Sequence, residues 1–402
     1  IGVIPVEWEL VKLQDTSLTI IDGDRGNNYP KSDDFTDDGY CLFLSAKNIT
    51  KNGFRLDEKQ FISEEKNNLL RKGKLKDLDI IMTTRGSVGH IAYNENIQYE
   101  EMRINSGMVI LRNNDENLNQ KYIYKLFASS IIQKQIEKIA FGSAQPQLTV
   151  KAISNLKIPL PPLKEQEKIA DILGATDDKI DAISAQIQQT QTLKKGLLQK
   201  LLSEGIEHNE FKNSELGKIP KSWEVVELDN VAKLNKQKYI PIQSESINYI
   251  GLEHINQEQG TINGIGNSND TLSQKNRFNR GEILFGKLRP YLQKFYLAEI
   301  DGVCSTEILV ITAKSNILNS ILFQIVKTEA FIEHSVSKVF GTKMPRTSWA
   351  ILQEFRLALP PLEEQKQIAD ILSTADKKLE ILRAKKEKYQ TLKKGLLQKL
   401  LS

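Results

Sequence analysis

Two hydrophobic rhythms alternate along this chain. From residue 163 to 203, and again from 362 to 402, apolar side chains recur at helical spacing. In the first stretch Ile169, Ile172 and Leu173 fall at i, i+3 and i+4. Ile180, Ile183 and Ile187 continue at coiled-coil spacing, and Leu193, Leu197, Leu198, Leu201 and Leu202 follow. In the second, Leu379, Leu382, Leu392, Leu396, Leu397, Leu400 and Leu401 take the same face. The pairs Pro161-Pro162 and Pro360-Pro361 stand just before; proline is excluded from a helix interior but tolerated at its start. The pattern predicts a short helix, a weak point at Gly174, then a long helix of roughly 25 residues, about 40 Å at 1.5 Å per residue. Gly196 and Gly395 each cost about 1 kcal/mol inside a helix, and close packing against a partner backbone would account for them.

Between these blocks the pattern shortens to β-rich runs separated by turns. Strands are predicted for 79–86, 108–112, 282–285 and 307–313, and helices for 122–139 and 317–336. The helical blocks are copies. Residues 161–203 align without a gap on 360–402, with 26 of 43 positions identical, and the run Gln191–Ser203 recurs unchanged as Gln390–Ser402. Weaker echoes surround them. Gly2, Ile4, Pro5, Trp8 and Glu9 return as Gly217, Ile219, Pro220, Trp223 and Glu224. Phe141-Gly142-Ser143 before Pro146 returns as Phe340-Gly341-Thr342 before Pro345. A duplicated domain follows, and the fold class is α+β: two mixed α/β domains (1–156 and 207–355) separated by helical spacers (157–206 and 356–402). Chain direction makes the two long helices antiparallel, in a cyclic arrangement with a pseudo-two-fold axis.

Two unlike domains on a spacer of fixed length suit a target with two half-sites. Paired readers bind B-DNA about one turn, some 34–36 Å, apart. A scaffold for two proteins has the same outline. Composition moves this choice little. Lys plus Arg is 55 against 51 for Asp plus Glu, so the net charge of +4 does not by itself require a nucleic-acid partner. Cys41 and Cys304 are too few and too isolated for a disulfide framework or a zinc site, and a reduced cytoplasmic setting fits. No stretch reaches about 18 apolar residues, and nothing at the start of the sequence resembles a leader. Asp33, Asp34, Asp37 and Asp38 cluster beside Gly39 and read as a solvated turn rather than a metal site. There is no N-P-P-Y methylation motif, phosphate-binding G-x-x-x-x-G-K-[ST] or G-x-S-x-G elbow, so no catalytic residue is assigned.

The duplicated PLPPLKEQEKIADIL (159–173) and ALPPLEEQKQIADIL (358–372), the LKKGLLQKLL endings, the G-x-I-P-x-x-W-E openings and FGSAQPQLTVKAISNLKIP (141–159) together resemble the specificity subunit of type I restriction-modification systems, over the whole chain. The resemblance implies two target-recognition domains, each reading one half of a split, asymmetric site in double-stranded DNA. It implies helices that hold two methyltransferase (modification) subunits, with motor-nuclease (restriction) subunits joining the complex. S-adenosylmethionine, ATP and Mg are expected on those partners, with no cofactor and no active site in this subunit. The second loop, FGTKMPRTS (340–348), lacks the glutamines of the first.

Base reading needs paired donors or acceptors: arginine for guanine, glutamine or asparagine for adenine. The first domain offers Thr83, Thr84, Arg85 and Ser87 in one glycine-bounded turn, with Ser143, Gln145 and Gln147 in a second loop. The second domain offers Lys287, Arg289 and Tyr291, with Lys343, Arg346 and Thr347. Lys236 and Lys238 read as phosphate contacts or solvated. Lys194, Lys195, Lys393 and Lys394 read as a solvated helix face favourable to the C-terminal dipole. Ile169, Ile172, Ile368 and Ile371 are candidates for docking the methyltransferase subunits.

Overall fold

The computed structural model describes residues 4–51, 53–95, 97–140, 147–242, 244–270, 272–337 and 344–401. The chain divides into two compact units. One comprises Ile1–Ser184 with Lys385–Ser402, the other Ala185–Ala384. Each unit therefore takes part of both long helices.

In the first unit a four-stranded sheet runs in the order Thr19–Asp22, Met108–Arg112, Ile80–Thr83, Ile91–Tyr93. Its strands are nearly all apolar because both faces are covered. Ile80, Met82, Val109 and Leu111 pack on the helices Gln120–Ala128 and Ser130–Ala140, while Ile81, Ile110 and Met108 pack on a three-stranded sheet formed by Phe61–Ile62, Cys41–Leu44 and Met102–Ile104. The second unit repeats the plan. Its four-stranded sheet is Ala232–Leu234, Ile308–Ala313, Ile283–Gly286, Phe295–Leu297, packed on the helices Asn319–Val326 and Glu329–Ser337. Its second sheet has five strands, with Gly302–Cys304 at the centre. The strands expected near 80, 108, 283 and 308 are all present. Each of the two expected helices is instead a pair, because Ser129 leaves the helical conformation in the first unit and the first helix of the second unit ends at Lys327.

The long helices are Leu163–Ser203, 41 residues, and Leu362–Leu400, 39 residues. No break occurs at Gly174, against the expectation of a short helix followed by a long one. Burial of Ile169, Ala170 and Leu173 before it and Ile183 after it outweighs the glycine penalty. The helices are antiparallel within each unit. In the first, Ile169, Ala170 and Leu173 share a core with Leu396, Leu397, Leu400 and Leu401, while Asp177 further along meets Lys393. In the second, Lys194 meets Asp376, and Leu197, Leu198 and Leu201 share a core with Ile368 and Leu372. The second helix thus ends in the core that holds Trp8 and Ile4. The partner backbone expected at Gly196 and Gly395 is absent from the chain's own fold. A Cβ on either would meet nothing within 4 Å.

The motifs that carry the duplication are structural joints. Trp8 Nε1 donates to Glu165 at 3.0 Å, and Trp223 Nε1 to Glu364 at 2.8 Å. Gln166 accepts from Asn119 N and donates to Pro161 O; Gln365 accepts from Leu318 N and donates to Pro360 O. The W-E and P-P-L-x-E-Q segments recur because each tryptophan and each glutamine tie their domain to the start of a long helix.

Candidate nucleic-acid interface

In each unit the turn after the third-ranked strand of the four-stranded sheet closes on a second loop. Arg85 forms an antiparallel bridge with Gln147, and Leu288 forms the same bridge with Arg346. The flanking hydrogen bonds match: Leu148 N to Thr84 O in one unit, Thr347 N to Lys287 O in the other, both 3.0 Å. The two loops chosen in each domain from sequence are therefore brought together. Arg85 lies opposite Gln147, whereas its structural counterpart is Leu288 and the arginine stands across the bridge at 346.

A third segment joins each site. The turns between Met102–Ile104 and Met108–Arg112, and between Gly302–Cys304 and Ile308–Ala313, pack against the bridge. Gly107 O accepts from Thr84 N at 2.7 Å and Arg85 N at 3.2 Å, and Glu307 O accepts from Lys287 N at 2.9 Å. Arg25 donates to Ser106 O at 3.3 Å, which adds another guanidinium to the first face. Glu307 Oε2 accepts from Arg346 Nε at 2.9 Å. Sequence reasoning missed these residues. The only signal was the matching strand–turn–strand frame of 102–112 and 302–313, whose side chains differ.

The candidate side chains sort by exposure. Arg85, Ser87 and Gln147 are exposed, as is Arg289; Tyr291 keeps half its surface. Lys287 and Arg346 are partly buried. Thr83, Thr84 and Thr347, also expected at the interface, are buried. The Thr83 hydroxyl accepts from His90 N at 3.0 Å and donates to Ser87 O, so it holds the turn closed. Ser143, Gln145 and Lys343 lie outside the described residues. The first turn uses glycine where φ is positive, at Gly86 and Gly89. The second places Arg289 and Gln293 there, each at φ +50°, a conformation costing a side-chain-bearing residue about 1 kcal/mol. Arg289 is held by its N–H to Pro345 O at 2.7 Å.

Of the docking candidates, Ile172 and Ile371 are exposed. Ile169 and Ile368 are not available, because each is in its unit's core. The helix lysines are not simply solvated. Lys393 and Lys125 both reach Asp177 at 2.5 Å, and Lys194 and Lys327 both reach Asp376. Burial pushes Lys327 well below the usual ammonium range, against the pull of Asp376, whose carboxyl the two ammonium groups hold low. Lys195 pairs with Glu329 at the surface, and Lys238 donates to Asn276 at 2.6 Å.

Among the described residues no group of three potential metal ligands is gathered. Asp34 accepts from Lys31 N at 2.7 Å and pairs with Lys66 at 3.1 Å. Both cysteines are free and buried, and burial raises both thiols, Cys41 to about 11. No helix among the described residues is long and apolar enough to cross a membrane.

Two units with one scaffold and different side chains at the same bridge define a protein built from a duplicated domain. The model of the type I restriction modification DNA specificity domain matches residues 5–192 and 220–390, and the chain belongs to that family. It is 27 % identical over 421 residues to the type I restriction enzyme MjaVIII specificity subunit of Methanocaldococcus jannaschii, covering 99 % of this chain and 93 % of that one. It is 27 % identical over 449 residues to the putative type I restriction enzyme MjaX specificity subunit of the same organism, covering 100 % and 94 %. In fold it is similar to the S subunit of a type I restriction-modification system from M. genitalium, with a TM-score of 0.62 at 15 % identity, over 98 % of this chain and 96 % of that one.

Proposed function

We propose that each unit reads one half of a split, asymmetric site in double-stranded DNA, and that the bridged loops are the reading elements. In the first unit Arg85 and Gln147 supply the base contacts, with Ser87 and Arg25 beside them. In the second, Arg346, Lys287, Arg289 and Tyr291 do so. The single observation that supports this most is the bridge itself. A shared backbone presents Arg85 opposite Gln147 in one unit and Leu288 opposite Arg346 in the other. Side chains differ where the fold does not, as a reader of two unlike sequences requires. A scaffold for two proteins gives no reason for arginine and glutamine at one joint.

The long helices set the distance between half-sites and hold two methyltransferase subunits, with Ile172 and Ile371 as their exposed apolar contacts. Motor-nuclease subunits complete the assembly. Catalysis, with S-adenosylmethionine, ATP and Mg, belongs to those partners.

The test is to map methylated bases in cells carrying the system with Arg85→Ala. Preference at one position of the first half-site should fall roughly tenfold, the value of about one good bidentate contact. The second half-site should be unchanged. Equal damage to both halves would count against separate readers, and salt-independent retention of DNA by the complex would count against phosphate contacts.

A further inference from the structure

The two bridges differ at a third position beside the reader. Where the bridge carries Gln147, the neighbouring turn has Gly107; where it carries Arg346, that turn has Glu307. The equivalence is set by backbone, because Gly107 O and Glu307 O accept from Thr84 N and Lys287 N, which precede the bridge residues Arg85 and Leu288. Glu307 takes Arg346 Nε at 2.9 Å, while Arg346 Nη1 reaches Met344 O at 3.3 Å. Neither partner is fully buried: Arg346 keeps 43 % of its side chain exposed and Glu307 29 %.

We infer that Glu307 is a positioning residue that fixes which base Arg346 reads. The inference rests on the bridge facing DNA, as proposed above. A carboxylate on the guanidinium narrows the rotamers an arginine samples. With Nε held by a carboxylate, the guanidinium plane is fixed and the Nη1–Nη2 edge projects as a donor pair. That pair matches the O6 and N7 acceptors of guanine in the major groove. The first unit has Gly107 at this place, so the side chain opposite Arg85 on its bridge, Gln147, has no carboxylate from that turn. Glu307 then acts on one base position of the second half-site and on no other.

The experiment uses the assembled complex with the full-length chain and reads base preference at every position from methylated sites. Glu307→Gln should lower the guanine preference at one position of the second half-site roughly tenfold, with the other positions and the first half-site unchanged. Arg346→Ala should abolish preference at that same position. Adding Glu307→Gln to Arg346→Ala should then change nothing further, since the buttress has nothing left to hold. If Arg346→Ala erases the preference and Glu307→Gln keeps it, the positioning role is wrong and the reading face stands. If Arg346→Ala leaves every position intact, the reading face itself is wrong. A uniform loss at all positions from Glu307→Gln would mark it as a fold residue only and would overturn the inference.

Discussion

Glu364 gathers three groups: Trp223 Nε1 at 2.8 Å, Ile206 N at 2.9 Å and His208 Nε2 at 2.8 Å. Its counterpart Glu165 receives Trp8. Removing an acceptor strands its donors, so Glu364→Ala should cost about 2–3 kcal/mol and Glu165→Ala about 1 kcal/mol, read by urea unfolding. Asp376 is a sharper case. It faces Lys194 and Lys327, and also accepts from Gln324. Asp376→Ala removes the acceptor shared by Lys194, Lys327 and Gln324 and should destabilise by about 2–3 kcal/mol. Lys327→Met still leaves Asp376 paired with Lys194 and should stay within about 1 kcal/mol of the parent. The pH dependence has a definite sign. Lys327 binds its proton less tightly folded than unfolded, so between about 7 and 10.5 the unfolded chain holds more protons. Stability contributed by this group therefore rises with pH across that window, and Lys327→Met should flatten the rise. A steeper rise in the variant would contradict the assignment.

At the scale of elements, the long helices carry residues that the chain's own packing does not explain. Gly196 and Gly395 are exposed, helical and open on their Cβ side. Gly196→Ala and Gly395→Ala should each stabilise the isolated subunit by about 1 kcal/mol, measured by thermal unfolding. The turns behave oppositely. Thr83→Ala removes a hydroxyl that ties Ser87 and His90 to the strand end, so it should destabilise by about 1–2 kcal/mol. These elements were partly legible. The strands 108–112 and 308–313 announce themselves as apolar runs, and the helix starts by their prolines. The continuity of the first helix through Gly174 was not legible, because it depends on Ile169, Leu173 and Ile183 finding a core.

For the whole molecule, each long helix contributes residues to both compact units. Inserting seven residues into each adds about 10 Å of helix, two turns. Methylation mapping should then show a longer non-specific spacer and two unchanged half-sites. Retention of the old spacing would refute the helices as the ruler.

The sequence alone settled the duplication, the helical blocks and the two loops of each domain, because those rest on local periodicity and on repeats that survive without partners. Tertiary structure decided everything that depends on contacts between distant segments. It put Gln147 against Arg85 and Arg346 against Leu288, brought Glu307 to Arg346, and buried Thr83, Thr84 and Thr347. It also drew Ile169 and Ile368 into the cores and left Ile172 and Ile371 outside. The physical reason is that exposure and pairing are properties of neighbours in space. Helix periodicity names a face; only packing says how wide the buried part of that face is.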